Sequence, residues 1–170
     1  MVLDTSGNQV NLYMQRGPSD VPDWDNLTED LNVACLVYPD GGQPIDVNIQ
    51  TQVQFVFAAF NDGGNFDFSN YWYLVPYDGV YQFNTGITIY DMDPAREWIV
   101  EIWVNDGFPR AMVSNITSPV DVGLQLTGTV SATLKLTAGT TVFVVVTQKG
   151  FQPHSLSPNF ITTWFSAHRL

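Results

Sequence analysis

At 170 residues the chain has the length of one domain, and a domain of that size buries roughly 70% of its unfolded surface. Its 17 acidic against 6 basic side chains leave a net charge of −11, which repels nucleic acid and anionic membrane and excludes both as expected partners. Cys35 is the single cysteine, so there is no internal disulfide framework and no cysteine-based metal site.

Residues 1–50 hold eight of the acids and only Arg16 as a base. The start, Met1-Val-Leu-Asp-Thr-Ser-Gly7, lacks a basic region and an apolar core, which predicts no signal peptide and a soluble protein made in a cytoplasm. Gly17-Pro18, Val21-Pro22, Tyr38-Pro-Asp-Gly-Gly42 and Pro44 interrupt the segment every few residues. Short extended pieces fit between them, at 9–14 and 32–38, and 25–31 suits one or two helical turns. The pattern reads as an extended arm, with Tyr13, Trp24 and Leu36 too apolar for a free tail and assigned to contact with a partner surface. Cys35 lies in the apolar run Val33-Ala-Cys-Leu-Val37 and is expected to be a small buried hydrophobe.

From residue 51 the text alternates strand and turn. Val53–Phe60 is a predicted strand, closed by Asn61-Asp-Gly-Gly64. Phe66–Val75 carries alternating bulky residues, then Pro76–Gly79 turns the chain into a long strand, 80–90, with Gly86 as a candidate bulge. In Glu97–Val104 the residues Trp98, Val100, Ile102 and Val104 share one face, and Ile99, Glu101 and Trp103 the other. Asn105-Asp-Gly107 suits a tight hairpin. Strands at 108–113, 123–136, 140–147 and 161–170 follow, the third continuously apolar and so expected at the centre of a sheet. Many short strands with no helical periodicity give an all-β sandwich.

The spacing Phe55, Asn61, Phe66, Tyr73, Gly79, Tyr81, Phe83 resembles the signature of the globular C1q domain, whose jelly roll is shared with tumour necrosis factor. Tyr73 stands where that family has Phe, and Thr85 where it has a final aromatic. Ile102-Trp-Val-Asn105 resembles a family strand ending in Asn-Gly, with Asp106 inserted before Gly107, Leu134-Lys-Leu-Thr-Ala-Gly-Thr-Thr-Val142 resembles a family turn, with Thr140 where an Asp is usual, and Phe165-Ser-Ala-His-Arg-Leu170 resembles the closing strand, so the likeness covers about 53–170. It implies a ten-stranded C1q/TNF-like jelly-roll sandwich at 51–170, preceded by the arm at 1–50, and a trimer about a threefold axis. Trp98 and Trp103 fall on opposite faces of one strand, so one face needs a cover from elsewhere. Trp103, Phe165 and His168 are the expected trimer-interface residues.

Catalytic motifs are missing, and the two histidines, His154 and His168, are read as an exposed loop residue and a subunit-contact residue. No enzyme activity, cofactor or metal is expected. Since the fold is a presentation scaffold, the arm points to function. The expected role is a trimeric structural protein of a virus capsid surface, a bacteriophage cement, decoration or head-fibre protein bound in the virion to the major capsid protein. The alternative is a receptor- or glycan-binding fibre tip or a secreted C1q-like adhesion module, using loop aromatics among which Tyr77, Phe108 and Phe151 are foremost.

Overall fold

The computed structural model describes residues 2–4, 11–15, 24–26, 33–105, 109–113 and 125–170. The chain divides into two compact units, Met1–Val33 and Ala34–Leu170. In the first, β1 (Val2–Asp4), β2 (Asn11–Gln15) and β3 (Trp24–Asn26) form a three-stranded antiparallel sheet in that order. The helical turn expected from Asp25 is therefore absent at its start, since Asp25 pairs with Met14 in the ladder.

The second unit begins seventeen residues before the boundary expected at 50/51. Its first strand, β4 (Ala34–Tyr38), is followed by β5 (Pro44–Ile45), β6 (Thr51–Gln52), β7 (Phe57–Asn61), β8 (Phe66–Asp67), β9 (Trp72–Leu74) and β10 (Gly79–Ile89). Then come β11 (Trp98–Val104), β12 (Pro109–Val113), β13 (Leu126–Leu136), β14 (Thr141–Gln148), β15 (His154–Ser155) and β16 (Trp164–Arg169). One sheet has the order β13-β10-β16-β4-β7, and the second the order β12-β11-β14-β9-β8 with β6 also on β14. β4 lies between β16 and β7, so residues from Ala34 onward belong to the sandwich and not to an arm. This corrects the placement of Leu36, which pairs with Ser166 and Phe60 in the sheet.

The single strand expected at 53–60 is two strands in different sheets. Thr51 and Gln52 pair with β14, whereas Phe57–Asn61 pairs with β4. Between them the chain crosses the sandwich, and the burial of Val53 and Phe55 inside is what drives the crossing. β10 runs in unbroken register against β13 and β16, so Gly86 is not a bulge. Its missing side chain instead makes room for an indole: a Cβ there would lie 2.8 Å from Trp164 Nε1.

The core is the aromatic ladder of the signature motif. Tyr73, Tyr81, Phe83, Phe55 and Phe165 are each essentially fully buried. Ring centroids are 5.9 Å apart for Tyr73–Phe83, 6.2 Å for Phe83–Phe165 and 5.9 Å for Phe165–Phe55, a continuous chain of contacts between the sheets. Trp98, Val100, Ile102, Val142, Val144 and Val146 face them from β11 and β14. Asn61 closes the turn between β7 and β8: its Nδ2 donates to Phe66 O at 3.2 Å and its Oδ1 accepts from Phe66 N at 3.0 Å, as a strand partner would.

Candidate oligomerisation face and apical loop

Because Cys35, Val37, Tyr81, Phe83, Phe165 and Ala167 point inward, the alternate residues of β4, β10 and β16 form the outer face of the five-stranded sheet. Register places Asn84, Ser166, Leu36 and Phe60 in one row across it, and Gln82, His168 and Ala34 in the next. The half built on β4 and β7 is apolar. Phe57 and Phe60 are exposed, and Tyr38 packs against Phe57 at 5.9 Å and Phe160 at 5.7 Å between centroids. The half built on β10 and β13 is polar and cross-linked. Gln82 Nε2 donates to Ser131 Oγ at 2.7 Å and to Asn84 Oδ1 at 3.1 Å, Ser131 Oγ donates to Asn84 Oδ1 at 2.8 Å, and Thr133 Oγ1 donates to Gln82 Oε1. None of the outward residues of these five strands is Asp or Glu, and Lys135 and His168 are their basic side chains. In a chain of net charge −11, this acid-free face lets copies approach without carboxylate repulsion.

The expected interface residues therefore separate. His168 lies on this face, beside Gln82. Phe165 does not: strand alternation turns it into the protomer core, and its neighbour Trp164 takes the outward position. Trp103 stands on the outer side of the opposite sheet against Phe143, with ring centroids 6.3 Å apart. Tyr13 and Trp24 lie in β2 and β3 of the first unit. The alternation of Leu36 and Tyr38 in β4 was the signal that would have placed them here.

At one end of the sandwich the 149–153 loop is held against the 91–97 loop. Asp93 Oδ2 accepts from the backbone N–H of Phe151 and of Gln152 (3.4 Å) and lies 3.2 Å from His154 Nε2. Partial burial pushes the Asp93 carboxyl up, but these donors and the imidazole outweigh it and hold the group below its ordinary value of 3.8. His154 is buried on β15, not exposed in a loop as its flanking proline and serine suggested. Gly150 fits only as glycine, since a Cβ would meet Asp93 Oδ2 at 2.5 Å and Gln148 Oε1 at 2.6 Å. The clamp leaves Phe151 72% exposed with the Arg96 guanidinium 3.7 Å above its ring, and Lys149 pairs with Glu97. Tyr77 is exposed near the Arg169 guanidinium, 5.6 Å from its ring centroid. Phe108 lies outside the described residues.

Among the described residues no group of three or more His, Cys, Asp or Glu is placed to hold a metal ion, and no helix is long and apolar enough to cross a membrane. Burial pushes the Cys35 thiol up to about 12 against a weaker opposing hydrogen bond from the Ala167 backbone, which makes it inert at neutral pH.

No known family profile matches the chain, and no curated protein does. Solved structures do match. The crystal structure of murine APRIL at pH 5.0 superposes with a TM-score of 0.62 at 12% identity, covering 82% of this chain and 99% of that one. The globular domain of zebrafish complement 1qA protein gives a TM-score of 0.53 at 15% identity, covering 81% and 96%. The fold is a C1q/TNF-like jelly roll. Its two five-strand paths supply the ten strands expected of such a jelly roll, and β6 is added at the side of β14. At these identities the likeness concerns the C1q/TNF-like architecture alone.

Proposed function

We propose that the chain is a homotrimeric structural protein of a virus capsid surface, a bacteriophage cement, decoration or short head-fibre protein that bridges neighbouring capsid subunits without catalysing a reaction. The observation that carries the trimer is the acid-free, half-apolar outer face of the five-stranded sheet. Leu36, Tyr38, Phe57, Phe60 and Phe160 supply apolar area, the Gln82–Asn84–Ser131–Thr133 network supplies a rigid polar rim, and a second copy needs no charge compensation to dock there. A closed ring of three is the symmetric arrangement that covers the face on every copy, and the C1q/TNF-like fold supports it. The capsid assignment is supported by the separate three-stranded unit in an acidic N-terminal segment, which gives each trimer three attachment elements whose weak contacts reinforce one another.

The capsid reading is tested by gene context and by shell binding. It expects the coding gene beside a major capsid protein gene, and the purified chain to co-sediment with shells of that protein in a manner lost on deleting residues 1–33. A genome without virion genes, or shells that bind the truncated chain equally well, overturns it. A recognition module is the second reading, favoured by Phe151 standing clear of the surface under Arg96 on a clamped loop. Phe151→Ala separates the two, because it leaves shell binding intact on the first reading and abolishes ligand capture on the second.

A further inference from the structure

The outer side of the six-stranded sheet carries a groove of about 440 Å³, within the roughly 300–1,000 Å³ of small-ligand sites. Trp72, Trp103 and Phe143 form its aromatic wall, and Gln50, Gln52 and Asn105 are among its polar groups. Alternation explains the wall. Val142, Val144 and Val146 point into the core, so Phe143 points out, and register sets it beside Trp103 on β11. Trp72 precedes Tyr73, the partner of Val142, and so comes from the other side of β14.

The edge of the groove is held under backbone strain. Tyr71, immediately before Trp72, has φ of 57°, a left-handed conformation that a bulky side chain adopts only when its surroundings enforce it. They do so here. Gln52 Nε2 donates to Asn70 O at 2.8 Å and Tyr71 O at 2.9 Å, and Asp67 Oδ1 accepts from the Ser69 and Asn70 backbone N–H groups at 2.7 and 3.2 Å. The strained turn fixes where Trp72 enters its strand. Gln50 and Asn105 are exposed, and their side-chain amides engage no other described residue, so each offers two donors and an acceptor to a ligand.

We infer that this groove is a binding site for a neutral oligosaccharide. A pyranose ring has an apolar C–H face, which suits an indole or phenyl plane, and a rim of hydroxyls, which suits primary amides. Among the described residues no Lys, Arg, Asp or Glu lines the groove, and the chain carries −11, so an anionic sugar or phosphate finds no counter-charge there and a repulsive field. A purely apolar ligand would leave the amides of the groove dehydrated and unpaired. The groove is on the sheet opposite to the one proposed to close the trimer, so three copies face outward, and multivalent glycans gain from the linkage.

The test is a titration of the full chain with maltohexaose, cellohexaose and the hexamer of N-acetylglucosamine, followed by tryptophan fluorescence and calorimetry, with 3′-sialyllactose as the anionic comparison. At least one neutral sugar is expected to give saturable binding, with affinity falling about tenfold or more in Trp72→Ala. Gln50→Ala and Asn105→Ala, whose side chains bond to no other described residue, are expected to weaken binding several-fold with unchanged Tm, which keeps the result readable if Trp72→Ala folds poorly. Leu36→Glu, aimed at the other sheet, leaves the affinity per chain unchanged even where it disperses the trimer. No saturation by any neutral sugar, binding of the sialylated sugar alone, or equal affinity in both amide variants overturns the site.

Discussion

The ring of Phe165 lies 6.2 Å from that of Phe83, with planes 17° apart, while the next residue toward the N-terminus, Trp164, points to the opposite side of the sheet. This pairing ties the last strand to the signature motif and separates two roles that the sequence left joined. Phe165 is a core residue. Truncating it removes stacking on Phe83 and Phe55 together. Phe165→Ala should lower stability by about 3–5 kcal/mol, read from the denaturant midpoint, whereas Phe151→Ala, at an exposed position outside the trimer face, should change it little. Similar losses at the two positions would contradict the assignment.

Tyr73 is buried, with its hydroxyl lacking any hydrogen-bond partner among the described residues. Burial, with smaller contributions from Cys35 and Tyr81, drives its acidity far out of the physiological range. Since an unmade buried hydrogen bond costs about 1–3 kcal/mol, Tyr73→Phe should be neutral or raise Tm. A marked fall in Tm would mean that the hydroxyl has a function.

The apical clamp should respond to acid. Asp93 has a lowered pKa in the folded protein, so its contribution is present above the ordinary value of 3.8 and is lost as pH falls through the lowered folded value. Amide exchange at Phe151 and Gln152 should accelerate relative to the core strands below about pH 4, and in Asp93→Ala the acceleration should already be present at pH 7. Gly150→Ala should loosen the same loop by clash. Exchange at these amides that is unaltered in both variants would contradict the clamp.

Cys35 is buried with its thiol pushed up to about 12, so a thiol reagent at pH 8 should label it only as fast as the sandwich opens. Labelling within seconds under native conditions would place the residue elsewhere.

Much of this architecture was legible in the residues because strand alternation is local. The faces of β11, the inward set Tyr81 and Phe83, and the central place of β14 all follow from a period of two. What was not legible required knowing which sheet a strand joins. Leu36 read as part of an arm because Pro39, Gly41, Gly42 and Pro44 follow it, yet long-range pairing with Ser166 claims it for the sandwich. Phe165 and Trp164 are adjacent and equally bulky, and only the register against Thr85 and Gly86 decides which faces inward. His154 read as exposed because its neighbours are turn residues, while Asp93, sixty-one positions earlier, comes within 3.2 Å of it. The aromatic groove joins Trp72 to Trp103 across β14, a contact that no local spacing encodes.

The mass of the purified protein, measured by sedimentation equilibrium at tens of micromolar, decides whether the acid-free face closes a trimer. The wild-type chain should sediment as a stable species at three times its 19.0 kDa, and Leu36→Glu, which sets a carboxylate into the acid-free face, should reduce it to a folded monomer. A wild-type mass of 19.0 kDa, or a trimer that Leu36→Glu leaves intact, would rule out a trimer closed by this face.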